Sequence, residues 1–512
     1  MNETGSNCEA ALVSSKMKWV HWVALAILIA IGFGVRMVNL YNPPLDFNPV
    51  RQLRSALIAR AVYYDLNPKI DPDMRHLADT AATLENYEPP FLENIVGFTY
   101  YLVGAEQVWI GRIFSCLCWL IGGLALFGIA RSYASFWPAW LGLAFYLGLP
   151  FGIIASRAFQ PDPWMVMWIL VTTFMALRWS ENPNWKNSIL TAIFAGITIL
   201  VKVTAGFFVA GVLVLLCINV FGLKRLFRSP RVWVMAGLTL VPAVFYYIGL
   251  HGGEAASYVS YNTLDLLGIV ATTKFYAQWL AMIQSLVGLT AFLAALIGVL
   301  LAKSKLRLAL VGLWIGYIGY GFLWPFQYTT HDYYHLSLVP LVGLSVVPLI
   351  EVVLQKLGSQ SGRRWQVAGI VVIGCALGFS FWVGRSELVA RDYSGEPAAW
   401  QKMGQAIPKG ASFVALVSDY GFRLAYYGLR KASDYWPARN DLSASVQRGN
   451  PEMDTQAYFQ DIIQGKNYFL IGALDDFDAQ VALKEILTEH YPVYKQGDGY
   501  ILYDLQHPFP TP

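Results

Sequence analysis

Charge is what this chain has least of: 14% of its 512 residues are Asp, Glu, Lys or Arg, against roughly 25% in soluble domains. Thiols are absent from every long polar stretch. Cys116, Cys118, Cys217 and Cys375 fall inside apolar runs and Cys8 lies in the N-terminal tail, which excludes a disulfide framework and a cysteine-based metal site. The formal charge of +4 is too small for a nucleic-acid-binding surface. There is no phosphate loop of the Gly-x-x-x-x-Gly-Lys type, no internal repeat and no low-complexity segment. Nor is there a small-residue cleavage motif after the first apolar run, Trp19 to Val35; Arg36 and Asn39 follow it, so the run reads as a span and not as a secretory signal.

Apolar residues are abundant. Hydrophobic residues make up 56% of the chain and the mean hydropathy is +0.45, so lipid is the expected solvent. Near-spanning apolar segments lie at 17–38, 107–130, 136–155, 163–179, 187–203, 205–222, 231–250, 277–301, 306–324, 334–355 and 366–384, predicting about eleven spans. Cations gather at alternate loops: Lys16/Lys18, Arg131, Arg178/Lys186, Lys224/Arg225/Arg228/Arg231, Lys303/Lys305/Arg307 and Lys356/Arg363/Arg364. The positive-inside rule makes those loops and the tail 1–16 cytoplasmic, and puts the C-terminus outside.

Two polar regions then fall on the outer side. One is the first outer loop, within 39–106, with a helix-like stretch Val50–Tyr64, a Pro/Asp-rich turn Pro68–Asp73 and an apolar stretch Phe91–Val103, too short to span and expected to lie in the interface. The other is 385–512, where apolar runs Phe413–Val417, Tyr468–Ile471 and Tyr500–Tyr503 alternate with helical patterns at 395–406 and 476–490, predicting an α/β domain large enough to bury its own core. The expected fold class is thus an α-helical polytopic membrane protein, module 17–384, with a C-terminal α/β extracytoplasmic domain.

Ionisable residues near a membrane face are expensive unless used or paired. Five groups share the predicted outer face. Asp46 follows the first span, ahead of Arg51, Arg54 and Ser55, which helical spacing places on one side; the plainer role for Asp46 is to cap that helix. Glu88 precedes Pro89-Pro90, which would start a helix in any case. Arg157 and Asp162 sit in the hairpin Arg157-Ala158-Phe159-Gln160-Pro161-Asp162-Pro163, where a simple turn explains the prolines. His331 and His335, in Thr330-His331-Asp332-Tyr333-Tyr334-His335, stand at i and i+4, a helix-face spacing too incomplete to define a zinc site. Lys202 lies at the outer end of one span, where snorkelling is the plainer reading. Their convergence suits a lipid-linked phosphate: cations hold it as a leaving group, and a carboxylate takes the proton of an attacking hydroxyl.

This order of features resembles the GT-C superfamily of lipid-phosphate-sugar-dependent glycosyltransferases, in particular the branch of protein O-mannosyltransferases and lipid A aminoarabinose transferases (glycosyltransferase family 39-like). The likeness covers the layout of about residues 17–350. It implies an inverting transfer of a sugar from a polyprenyl-phosphate donor to a hydroxyl of a lipid, glycan or protein acceptor, at the outer face of the plasma (inner) membrane. It maps the catalytic base onto Asp46 and a second acid onto Glu88. Donor-phosphate contacts map onto Arg51, Arg54, Arg157 and Lys202, and substrate-pocket contacts onto Asp162, His331 and Tyr334. Two departures stand out: Asp46 is followed by Phe47 and Asn48 where many relatives carry a second acid, and Asn48-Pro49 replaces a His-Pro of bacterial members. Asp46, Glu88 and His331 together could hold a divalent metal ion, the one cofactor left open. A transporter or an inactive membrane scaffold is the alternative; the transporter predicts broken helices with charges near mid-bilayer, in related halves.

Overall fold

A computed structural model describes residues 17–76, 88–253, 257, 259–260, 263–360 and 362–510. Tyr87, Lys16 and Cys8 lie outside the described residues. The described chain is largely helical, and each of the eleven apolar segments is helix. By length and apolarity, seven helices suffice to cross a membrane among the described residues, or eight if one bent pair counts as a single span.

The segments that fall short show why. The 136–155 segment is two helices, Phe136–Gly148 and Pro150–Ala155. They part at Leu149, which is extended before Pro150, the conformation a following proline imposes. The 277–301 segment is Thr273–Leu286 followed by Leu289–Leu301, bent by 96°, with Gly288 at φ +80° in the elbow. The 187–222 stretch divides into Trp185–Val201 and Gly206–Phe221, a short 3₁₀ turn Val203–Ala205 and an extended Lys202 between them. Helix Gly206–Phe221 packs closely on helix Ser304–Leu323: a Cβ on Gly211 would collide with the Gly312 carbonyl, and one on Gly312 would meet the backbone of Gly211. Small residues bring membrane helices to this distance, where van der Waals contact holds them.

Backbone proximity divides the chain into two compact units. The first comprises the described residues of 1–40, 86–92 and 112–391 and holds the apolar helices. The second joins 41–85 and 93–111 of the first loop to 392–512.

Within the second unit, the loop stretch expected at Val50–Tyr64 is helix Pro49–Leu66. The residue at its N-cap position is Asn48, left-handed at φ 44° and with no side-chain cap bond. The predicted interfacial helix is Phe91–Val103, and it leaves Phe98, Leu102 and Val103 exposed.

The C-terminal segment forms a five-stranded sheet in the order β2-β1-β3-β5-β4, with β1 Phe413–Leu416, β2 Asp434–Tyr435, β3 Tyr468–Ile471, β4 Val493–Gly497 and β5 Tyr500–Asp504. β2, β1 and β3 are parallel; β5 and β4 are antiparallel. Side chains alternate across the sheet. Phe413, Ala415, Tyr468, Leu470 and Leu502 pack with Trp400 and Met403 of helix Glu396–Ala406, while Val414, Leu416, Phe469, Ile471 and Tyr503 pack with Phe459, Leu483 and Leu487 of the helices beyond β2 and β3. The result is a three-layer α/β/α domain. β2 and β4 were not legible in sequence: β2 spans two residues, and β4 is exposed throughout.

Candidate active site

In the first unit, three of the expected ionisable residues meet. Lys202 ends helix Trp185–Val201 in an extended conformation (φ −156°, ψ 120°), so its side chain leaves the helix axis and does not run along it. Its Nζ donates to Asp162 Oδ1 at 2.7 Å and lies 3.9 Å from Glu88 Oε1. Asp162, in the first turn of helix Pro161–Glu181, is buried, as are Lys202 and Glu88. An ammonium buried this deeply is tolerable because carboxylates compensate it; snorkelling does not describe Lys202.

Aromatic rings close around the amine. Nζ lies 5.6 Å from the ring centroids of both Tyr333 and Tyr334, within cation–π reach. His331 stacks edge-on to both rings at 5.8 and 6.1 Å and bonds Thr330 Oγ1 through Nδ1 at 2.7 Å. The i, i+4 reading of the histidines fails: helix Pro325–Thr330 stops before His331, which is extended, and a 3₁₀ turn carries 332–335. His335 is fully buried between the Tyr317 hydroxyl (2.7 Å) and the Tyr328 carbonyl (2.8 Å), a structural position.

The hairpin also holds a residue that sequence reasoning passed over. Gln160 is fully buried, and neither its Nε2 nor its Oε1 has a hydrogen-bond partner among the described residues; the same holds for Asp162 Oδ2. Buried amides and carboxylates are nearly always satisfied, so orphaned atoms two positions apart at the start of one helix point to a polar ligand. The signal in sequence was slight: a glutamine inside a Pro-flanked turn.

Arg157, expected beside a phosphate, meets backbone carbonyls. Its terminal nitrogens donate to the carbonyls of Val38 (2.5 Å), Asn39 (3.1 Å) and Arg36 (3.4 Å), where the first helix, Trp19–Arg36, ends. A cation there complements the helix dipole. Arg112, donating to the Leu40 carbonyl (3.1 Å), and Arg36, donating to Ser156 Oγ (2.7 Å) and to the carbonyls of Gly32, Leu147 and Gly152, are likewise fully buried.

Asp46 belongs to the second unit. It is buried, and Gln52 Nε2 donates to its Oδ1 (3.2 Å) while also bonding the Phe47 carbonyl (2.6 Å). Arg51 and Arg54 follow on helix Pro49–Leu66, half-buried and buried. Ser55 Oγ donates to Glu93 Oε1 at 2.7 Å. Glu93 is a buried carboxylate hidden in sequence within the apolar stretch of the interfacial helix. No group of three or more His, Cys, Asp or Glu side chains that could hold a metal ion occurs among the described residues.

Comparison with known proteins agrees with this architecture. The model of the dolichyl-phosphate-mannose-protein mannosyltransferase family matches residues 87–248, the stretch that carries Glu88, Arg157, Asp162 and Lys202. Among solved structures, ArnT from Cupriavidus metallidurans bound to undecaprenyl phosphate aligns over 95% of this chain and 98% of its own, at 17% identity and a TM-score of 0.59. The archaeal oligosaccharyltransferase AglB from Archaeoglobus fulgidus, in complex with an inhibitory peptide and a dolichol-phosphate, aligns over 95% and 74% at 13% identity and a TM-score of 0.55. The mycobacterial arabinofuranosyltransferase AftD aligns over 96% and 42% at 15% identity and a TM-score of 0.51. No curated protein matches the sequence. The chain is a multi-pass membrane protein with the fold of the GT-C glycosyltransferases, and it resembles the protein mannosyltransferase and ArnT branch.

Proposed function

We propose that this protein is a polyprenyl-phosphate-sugar-dependent glycosyltransferase that moves a sugar, with inversion, onto a hydroxyl of a lipid, glycan or protein acceptor at the outer face of the plasma membrane. The observation that carries the reading is the buried group around Lys202: an ammonium between Asp162 and Glu88, capped by Tyr333 and Tyr334. Beside it stand the orphaned Asp162 Oδ2 and Gln160 amide, donors and acceptors of the kind that recognise sugar hydroxyls. The lipid phosphates held by ArnT and AglB support the donor class.

In the proposed reaction Asp46 removes the acceptor hydroxyl's proton. The oxygen attacks the anomeric carbon, and the bond from that carbon to the lipid-phosphate oxygen breaks, the phosphate leaving with the electron pair. Arg51 and Arg54 hold the departing phosphate. Lys202 donates one N–H to Asp162 and, as an ammonium with three donors, has others to offer the phosphate. Arg157 supports the site by ordering the end of the first helix. Glu88 and Asp162 orient Lys202 and the sugar, and His331 and Tyr334 line the pocket. The transporter alternative predicts related halves, and the sequence carries no internal repeat.

Purified protein incubated with a panel of polyprenyl-phosphate sugars and candidate acceptors, read by product mass, tests the reading. Asp46→Asn should fold normally and lose about 10²–10⁴-fold in transfer, the usual worth of a general base. Wild-type turnover by Asp46→Asn removes Asp46 as the base, and no transfer from any donor removes the activity.

A further inference from the structure

The C-terminal domain contains a cavity of about 560 Å³ whose position follows from its topology. With parallel strands in the order β2-β1-β3, the chain leaves β1 toward one neighbour and then crosses over to the other side for β3. The loops at the carboxyl ends of β1 and β3 therefore part, and the crevice between them is where open α/β sheets take ligands. Val417 and Ser418, which follow β1, line one side; Gly472 and Ala473, which follow β3, line the other. The size is in the usual range for a small-molecule site.

The walls say what kind of molecule fits. The loop after β1 places three successive residues in the left-handed region, Asp419 (φ 53°), Tyr420 (φ 50°) and Gly421 (φ 77°). This is a costly conformation for a tyrosine, and it leaves the Tyr420 ring 61% exposed at the cavity rim. The Tyr420 hydroxyl donates to Asp441 Oδ1 at 2.7 Å. The Tyr435 ring lies against Gly421, where any Cβ would strike it, and adds a second aromatic wall. Asp419, Asp441, Asp475 and Asp476 bring four carboxylates to the lining; Asp419 is paired with Arg423 at 2.5 Å and Asp476 with Arg439 at 2.9 Å, which leaves an acidic excess of two, Asp441 and Asp475. Such a lining repels phosphates and carboxylates. Aromatic faces, carboxylate acceptors and the Asn440 amide instead suit a ring that is apolar on its C–H face and hydroxylated at its edge.

We propose that this cavity binds a saccharide unit without negative charge, a second carbohydrate site distinct from the one around Lys202. The choice of saccharide among uncharged polyols rests on the glycosyltransferase reading; the cavity and its charge do not.

Saturation-transfer NMR on the full-length protein in detergent tests this, with mannobiose, maltose, cellobiose and chitobiose as probes and glucose 6-phosphate as the anionic control. At least one disaccharide should receive saturation while the phosphorylated sugar does not. Tyr420→Ala and Asn440→Ala, both at exposed side chains, should each weaken that binding by about tenfold or more, whereas Asp162→Asn should leave it unchanged. No transfer to any disaccharide, equal binding by both cavity variants, or preference for glucose 6-phosphate overturns the proposal. Binding lost in Asp162→Asn but kept in Tyr420→Ala also overturns it, placing the sugar in the membrane site and leaving the transferase reading intact.

Discussion

Lys202 is buried with two carboxylates beside it, so its charge is compensated inside the unit. Lys202→Met keeps the length of the side chain and removes the cation that Asp162 accepts from, leaving a buried acid without its ammonium. Breaking a buried pair from one side costs about 3–5 kcal/mol, so the variant should unfold at markedly lower temperature in detergent and show no transfer; an unchanged thermal midpoint would mean that the pair contributes no stability. Gln160 predicts the opposite pattern. Its amide has no partner to lose among the described residues, and an apolar replacement of similar shape at an unsatisfied position is close to neutral or stabilising. Gln160→Leu should therefore keep or raise the thermal midpoint while raising the KM for the sugar donor, and a KM equal to wild type would rule out a sugar contact.

Among the helices and strands, the second unit is held by a contact between segments far apart in sequence. Arg60, on helix Pro49–Leu66, bonds Glu106 through Nε at 2.9 and 3.1 Å, donates to the Tyr426 carbonyl at 2.7 Å and lies 3.9 Å over the Tyr426 ring. The Tyr426 hydroxyl donates in turn to Glu106 Oε1 at 2.5 Å. Burial alone would favour a neutral arginine, but Glu106 and Tyr426 outweigh it and push the Arg60 pKa up, so the guanidinium stays charged throughout the working pH range. Arg60→Ala should cost about 3–5 kcal/mol and speed proteolysis of 392–512. Arg60→Ala/Glu106→Ala should recover part of that loss, since neither charge is then stranded; strict additivity of the two single changes would show that they do not interact.

For the whole molecule, sidedness remains the expectation with the widest consequences. In a background without native cysteines, Arg228→Cys and Lys495→Cys, both at exposed positions, should label from opposite sides of sealed vesicles, with Lys495→Cys on the outer side. Labelling from one side alone would overturn the charge-rule topology and, with it, the outer-face placement of the proposed reaction. Much of this organisation was legible in sequence because it depends on local periodicity and composition: apolar runs long enough to be helices, the helices Pro49–Leu66 and Phe91–Val103, and the three apolar strands of the sheet. The pairing of Lys202 with Asp162 was not, since 40 residues separate them in the chain.

The sequence by itself determined that this is a polytopic helical membrane protein with a C-terminal α/β segment, because burial in lipid and in a sheet imposes patterns on neighbouring residues. Tertiary structure alone decided the rest. It joined the first loop to 392–512 in one unit through Arg60, Glu106 and Tyr426, and set Arg157 on the carbonyls that follow the first helix. These outcomes depend on which distant carbonyl or carboxylate a side chain meets, and chain-local patterns carry no information about that.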